Sequence, residues 1–345
     1  MAIESEPYAY KTLTINQAKR RQASRDRRYL QGTRIIQDDV RRVPGRRVLR
    51  ELGAKPGELD VVCGGPPCVS FSVAGPRQGL GSEAGRLFEA YARMLRTLRP
   101  KAFIFENVRG LLTAVNERGE VGGAWAVISR RLEDAGYRIS SALLNAADFG
   151  VPQHRERLFV VGLRGHLGEP FEFPSRTHCD PTNAFEEGLH PWLTVRDAIA
   201  DLPFAPVDPG EAAVLNHVAR RHRPATLVSF AATPGGARNA TFKRDRLRWE
   251  RPATVIRAQG KPKRASTGRH SSHQAIHPTL PRQLTVRECA RIQSFPDWYE
   301  FPSTFSNGYR VVGDAVPPRL AATVGRELLA HFRSATKQGA ARRAA

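Results

Sequence analysis

Three residue groups carry most of the chemistry in this chain. Cys68 follows Pro66 and Pro67 inside GGPPCVSFS (64–72). Two prolines fix a stiff, non-helical backbone, and a loop of that kind presents a thiol in one geometry. A thiolate so placed is a nucleophile able to divide a difficult transfer into two easier steps. Glu106, in the tripeptide Glu106-Asn107-Val108, ends an apolar run and offers a carboxyl group for proton handling or hydrogen bonding. An isolated glutamate is more often a helix cap or a surface ion pair. Gln153, Arg155 and Arg157 alternate within VPQHRERLFVVG (151–162), and a period of two places all three on one face of a strand. A solvated edge strand is the plainer reading of that pattern.

These groups need elements to hold them. LDVVCGG (59–65) is a short apolar run ending in glycines and predicts a buried strand running into a loop. Leu87, Phe88, Tyr91, Met94, Leu95 and Leu98 recur at helical spacing, and Pro100 stops that helix. KAFIFENV (101–108) predicts a second buried strand. Trp125, Ile128 and Leu132 mark another helix closed by Gly136, and RISSALLN (138–145) and RLFVVGL (157–163) predict two further strands. Alternating strands and helices imply a mostly parallel sheet covered on both faces. Ligands of such sheets bind beyond the carboxyl ends of the strands, where GGPPC and ENV fall. Thr194 with Asp197 and Thr285 with Glu288 have capping-box spacing and start helices. Pro317-Pro318 starts a last helix with Leu320, Val324, Leu328 and Phe332 on its apolar face.

The 345 residues include 54 Lys and Arg against 33 Asp and Glu, a formal charge of +21. A field of that sign attracts polyanions, with nucleic acid the first candidate and an arginine-rich genome the bland alternative. Apolar residues make up 41%, enough for a sizeable core. No run approaches the roughly 18 apolar residues of a membrane span, and MAIESEPYAY lacks a basic leader. A cytoplasmic, nucleoid-associated protein is expected, with no membrane partner. Cys63, Cys68, Cys179 and Cys289 form no CxxC pair, so no metal site is expected. Cys63, Cys179 and Cys289 read as buried packing residues.

The order GGPPCVSFS, FENVRGLL, VPQHRERLFVVG, RQLTVRECARIQSFPDWYEF and VVGDAVPPRLAATVGREL closely resembles the bacterial DNA cytosine-5 methyltransferases. The resemblance spans nearly the whole chain except 165–282. It implies a Rossmann-like α/β fold of the class I S-adenosylmethionine-dependent methyltransferases, with a loop-rich target-recognition region. It implies methyl transfer from S-adenosylmethionine to C5 of a cytosine flipped out of duplex DNA, because a stacked duplex hides the reacting carbon. Cys68 would attack C6, Glu106 would contact N3 and the exocyclic amine, and Arg157 would bind O2. Arg155 would support the thiolate and its loop, and Gln153 and Ser72 would position the base. Glu4 in AIESEPYAYKTL (2–13) would bind the cofactor ribose and Asp39 in IIQDDVR (35–41) the adenine. Val40, Pro67, Leu87 and Asp314 complete the implied pocket.

Within the resemblance, residues 1–164 plus 283–335 form the catalytic domain, 165–282 the target-recognition region, and 336–345 a basic tail. A protein acting as a monomer on DNA, in a restriction-modification or orphan setting, is expected. The family's glycine-rich segment of the type Asp-x-Phe-x-Gly-x-Gly is not found in residues 1–345, so the first strand of the sheet is absent from the pattern. A start codon placed late, a split gene with a complementing N-terminal fragment, and a decayed DNA-binding remnant are the alternatives. Asp314 stands where many members have Asn. A tRNA methyltransferase is the other enzymatic reading; the Cys-Phe-Thr tripeptide expected of one is missing.

Overall fold

The computed structural model describes residues 1–22, 30–66, 83–116, 119–165, 167, 169–182, 188–258 and 274–344. Pro67, Cys68 and Ser72 therefore lie outside the described residues. The main sheet has four strands in the order β3, β4, β6, β5: β3 (Val61–Gly64), β4 (Ala102–Val108), β5 (Tyr137–Asn145) and β6 (Glu156–Arg164). β3 and β4 run parallel, whereas β6 is antiparallel to both β4 and β5. The sheet is thus mixed rather than mostly parallel. β5 and β6 are joined by a short connection, and a connection of that length forces an antiparallel pair.

Alternation along β4 and β6 decides the layers. Phe103, Phe105, Leu158 and Val160 face α3 (Glu83–Leu98) and α4 (Gly123–Asp134), where Leu95, Ile128 and Leu132 are buried. Ala102, Phe159, Val161 and Leu163 face the opposite way, onto Leu320, Val324 and Leu328 of α9 (Pro318–Ala344). Full burial of each large aliphatic side chain contributes about 1.5–3 kcal/mol, so these two layers dominate the stability of the sheet. The expected tail beyond residue 335 is corrected here, because α9 keeps its helical backbone to Ala344. Its Ala, Lys, Gln and Arg residues are strong helix formers.

β1 (Ala2–Glu4) and β2 (Ile35–Gln37) form a separate parallel pair, flanked by α1 (Pro7–Gln22) and α2 (Gly45–Leu52). Ile3 of β1 and Val62 of β3 both pack against the cluster of Val48, Leu49, Met94 and Leu98. Two strands share one helix layer, yet among the described residues they form no ladder with each other. The sheet is interrupted between β1 and β3.

That interruption corrects the expectation of a buried strand at 59–65. Among the described residues only one side of β3 carries a partner strand, none of its residues is fully buried, and Cys63 is exposed. Cys179 is half-buried, and Cys289 is fully buried as expected.

The described residues of 165–282 are mostly irregular, as their composition predicts. They hold α5 (Val195–Ile199), α6 (Pro224–Ala231) and two-residue strands at His178–Cys179 and His190–Pro191. Both capping boxes form, Thr194 with Asp197 at α5 and Thr285 with Glu288 at α7 (Val286–Ile292). α5, α7 and α8 (Phe305–Asp314) enclose a second core around Leu284, Val286, Ile292 and Tyr309.

Candidate active site

The carboxyl ends of β3 and β4 meet at one point. A Cβ on Gly65 would lie 2.8 Å from Oε2 of Glu106, so a larger residue there would push on this carboxylate. One residue later, Pro66 offers its carbonyl to the Asn107 side chain at 2.9 Å. The described start of the Pro-Pro-Cys loop is thereby tied to the Glu106-Asn107 pair. Asn107 is itself buried and was not singled out by the sequence pattern. Its task depends on a partner 41 residues away in the chain, which local spacing does not reveal.

Glu106 is paired. Arg157 on β6 brings its Nε to 2.8 Å from Oε1, with both side chains mostly buried. Burial pushes the Glu106 carboxyl above the usual glutamate range, and Arg157 and Arg155 only partly oppose that shift. A carboxyl group held toward its neutral form beside a cation can donate a hydrogen bond to a ring nitrogen.

Arg155 and Gln153 depart from their expected roles. Arg155 is 1% exposed and gives its guanidinium to three carbonyls, those of Ile256 at 3.0 Å, Gly313 at 2.7 Å and Ala315 at 3.1 Å. Gln153 is fully buried, accepts from the Ile256 amide at 3.1 Å and donates to Gln293 at 3.3 Å. Both bind protein backbone and side chains, where support of the thiolate loop and positioning of the base were expected. Only Arg157 stands on β6, with Gln153 and Arg155 just ahead of it, and because β6 lies between β4 and β5 the reading as an edge strand does not hold.

A cavity of about 340 Å³ opens at the carboxyl end of β1. Glu4, Tyr8, Thr12, Phe295, Arg310 and Asp314 are among its lining residues. Burial raises the pKa of Glu4, whose Oε1 accepts from the Glu6 amide at 2.7 Å. Arg310 pairs with Glu6 at 2.7 Å and approaches Asp314 at 3.9 Å. This volume falls within the range of small-molecule sites, and its aromatic and aliphatic walls with a few carboxylates fit the nucleoside half of S-adenosylmethionine. Arg310 was missed because its pocket role comes from folding α8 onto α1.

The other expected cofactor residues are more scattered. Asp39 is turned onto its neighbour Arg41, with Nη2 at 2.5 Å, and is not among the cavity-lining residues. The Asp38 amide donates to the Glu4 carbonyl, which keeps the ends of β1 and β2 together. The Val40 carbonyl accepts from Arg93 of α3 at 2.9 Å, and Leu87 is half-buried on the same helix. Among the described residues, no group of three or more His, Cys, Asp or Glu could hold a metal ion, and no helix is long and apolar enough to cross a membrane.

A mixed sheet between two helix layers, with a nucleoside-sized pocket and an acid–arginine pair at its carboxyl end, defines a class I S-adenosylmethionine-dependent methyltransferase. The solved structures agree. A DNA modification methyltransferase encoded within an E. coli prophage has a TM-score of 0.69 at 20% identity, covering 96% of this chain and 92% of that one. The S. pombe Dnmt2 methyltransferase has a TM-score of 0.56 at 14% identity, covering 96% and 90%.

The chain belongs to the C-5 cytosine-specific DNA methylase family, whose profile matches residues 2–330. The type II methyltransferase M.FnuDI of Fusobacterium nucleatum is 33% identical over 307 residues, covering 86% of this chain and 81% of that protein. M.AquIA of Picosynechococcus is 36% identical over 224 residues, covering 62% and 83%. M.NgoPII of Neisseria gonorrhoeae is 30% identical over 300 residues, covering 84% and 80%. The protein is accordingly a DNA cytosine-5 methyltransferase, an enzyme of the transferase class.

Proposed function

We propose that Cys68 is the nucleophile of this reaction and that Glu106 and Arg157 are its partners on the base. The observation that carries the reading is the contact of Gly65 and Pro66 with Glu106 and Asn107, which starts the Cys68 loop beside the acid–arginine pair. The Cys68 sulfur forms a bond to C6 of a cytosine turned out of duplex DNA. Electron density then moves toward C5, a carbon too weakly nucleophilic to be methylated otherwise. Glu106, whose pKa burial raises, hydrogen-bonds N3, and Arg157 holds O2, so charge developing on the ring is stabilised where it arises. S-adenosylmethionine, when bound beside Glu4, supplies the methyl group. Loss of the C5 proton to a base returns an electron pair to the ring and expels the Cys68 thiolate.

Residues 165–282 supply target recognition, since they carry none of the chemical blocks and are rich in arginine and loops able to reach base edges. A complementing N-terminal segment completes the sheet between β1 and β3 and closes the cofactor cavity on that side. The interruption of the sheet and the exposure of β3 support that reading.

A duplex carrying 5-fluorocytosine at the target position tests the covalent step. Fluorine does not leave as a cation, so the adduct persists and can be located by mass spectrometry. Attachment to Cys68 supports the assignment, and attachment to another residue, or a fully active Cys68→Ser protein, removes it.

A further inference from the structure

A junction of buried polar side chains lies behind the acid–arginine pair and serves neither substrate directly. Its centre is the peptide of Ile256. The Ile256 amide donates to Gln153, and the Ile256 carbonyl accepts from Arg155. The same Arg155 guanidinium reaches the Gly313 and Ala315 carbonyls at the end of α8. Gln293, fully buried after α7, accepts from Gln153 and donates to the Val312 carbonyl. Next to it, Gln274 holds the Arg257 carbonyl at 2.8 Å.

The backbones themselves are in contact here. A Cβ on Gly313 would lie 2.2 Å from the Ala258 nitrogen and 2.4 Å from the Arg257 carbonyl carbon. Neither atom belongs to a flexible side chain, so residues 256–258 and the end of α8 cannot move independently without breaking the junction. The next residues of the chain are Asp314 and then Ala315, both in the wall of the cofactor cavity. Two residues after Arg155, near the start of β6, stands Arg157, the partner of Glu106.

We propose that Arg155 and Gln293 are positioning residues that couple the target-recognition region, through residues 256–258, to the Asp314 wall of the cofactor cavity. The inference rests on the reading of that cavity as the cofactor site. A single planar guanidinium with donors in a fixed fork spans two carbonyls at the end of α8 and one of the recognition region, which a lysine ammonium does not reproduce. Anything that fixes 256–258, such as bound DNA, therefore restrains the wall around Asp314. By linkage, a ligand in the cavity strengthens DNA binding by the same factor.

The test measures that factor. Dissociation constants of a target duplex are determined by fluorescence anisotropy with and without saturating S-adenosylhomocysteine, for the natural chain and for Arg155→Lys and Gln293→Met. Titration calorimetry of S-adenosylhomocysteine alone checks the cavity separately, so an empty cavity is told apart from a broken coupling. Couplings between sites run from about 5- to 150-fold, and a value in that range is expected for the natural chain. In both variants it should fall to within about twofold of unity, while affinity for DNA without the ligand stays within about threefold. Gln293→Met keeps the volume and serves if Arg155→Lys does not fold. A natural chain that binds the ligand without any coupling overturns the proposal, as does a folded Gln293→Met protein that retains the full factor.

Discussion

Glu106 and Arg157 stand on adjacent antiparallel strands, offset by one diagonal of the ladder: Val108 faces Arg157, and Glu106 faces Phe159. Diagonal neighbours on one face are within reach of long side chains, and here they close to 2.8 Å. Glu106→Gln keeps the shape of the group and removes its proton chemistry. Turnover should fall by about 100- to 10,000-fold, the usual worth of a proton-handling group. DNA affinity should change little, since the interaction grows only as the ring is attacked. The direction of the Glu106 shift adds a pH signature. Burial holds the carboxyl protonated above the ordinary glutamate range, so kcat falls as pH rises through the raised pKa, and the Gln variant lacks that limb. A Gln variant altered only in DNA affinity would remove Glu106 from the chemical step.

Arg282 and Glu288 make a second test, of stability rather than catalysis. Glu288 is 2% exposed, caps α7 through the Thr285 amide at 2.7 Å, and receives both Arg282 nitrogens at 2.7 and 2.8 Å. Burial pushes its carboxyl up, but the Arg282 hydrogen bonds and charge outweigh burial and hold it below the ordinary range. A depressed folded-state pKa contributes stability above the unfolded value of about 4.3, and the contribution is lost as pH falls through the folded value. Arg282→Met leaves burial opposed only by the Thr285 amide and His277, and so raises the Glu288 pKa. The variant should be destabilised by about 3–5 kcal/mol, typical of a buried charge left alone. In urea unfolding the gap to the natural chain should widen from pH 5 to pH 7. It should grow by about 1.36 kcal/mol per pH step wherever the folded variant holds a proton that the folded natural chain has lost. A gap that is constant with pH shows that Glu288 titrates as an ordinary carboxyl group.

The sheet strands, both capping boxes and the apolar face of α9 were legible because periodicity and caps are local signals. The ordered blocks pointed to Glu106 and Arg157, which the fold pairs, and to Glu4, which lines a cavity. The three buried carbonyls that Arg155 binds were not legible, since one residue type serves equally to steady a thiolate or to hold backbone. Gln293, Asn107 and Arg310 were not legible. Each acts through a contact between distant segments, such as the 140 residues separating Gln293 from Gln153. The mixed direction of the sheet was missed because a run such as RLFVVGL looks the same in either orientation.

Residues 165–282 should decide which sequence is methylated. Exchanging this region for that of M.FnuDI, with the junctions placed outside Gln153 and Gln283, should transfer the methylated site to that of the donor. Bisulfite sequencing of DNA modified by the chimera reads the outcome directly. Each base position read by a good bidentate arginine contact contributes about 1–3 kcal/mol of discrimination, enough for an unambiguous switch. A chimera that still methylates the original site places recognition elsewhere.

The last expectation concerns the interrupted sheet. Among the described residues β1 and β3 lie against one helix cluster without pairing, so their facing edges are open. Residues 1–345 alone should therefore bind S-adenosylmethionine weakly and aggregate through the open edges. A strand between β1 and β3, parallel to both, would satisfy those edges. Placed there, a glycine turn at its carboxyl end would bring backbone close to the cofactor cavity beside Glu4. Such a segment, fused ahead of Met1 or added as a peptide, should raise both cofactor affinity and turnover. Cys63 offers an independent readout, since it is exposed on β3. In a Cys68→Ser background, maleimide labelling of Cys63 should slow markedly once the segment is in place, whether or not methyl transfer can occur. Slow labelling of Cys63 without any added segment would mean that its side chain is already covered. Micromolar cofactor binding together with rapid turnover by residues 1–345 alone would show that the cavity at Glu4 is complete as it stands.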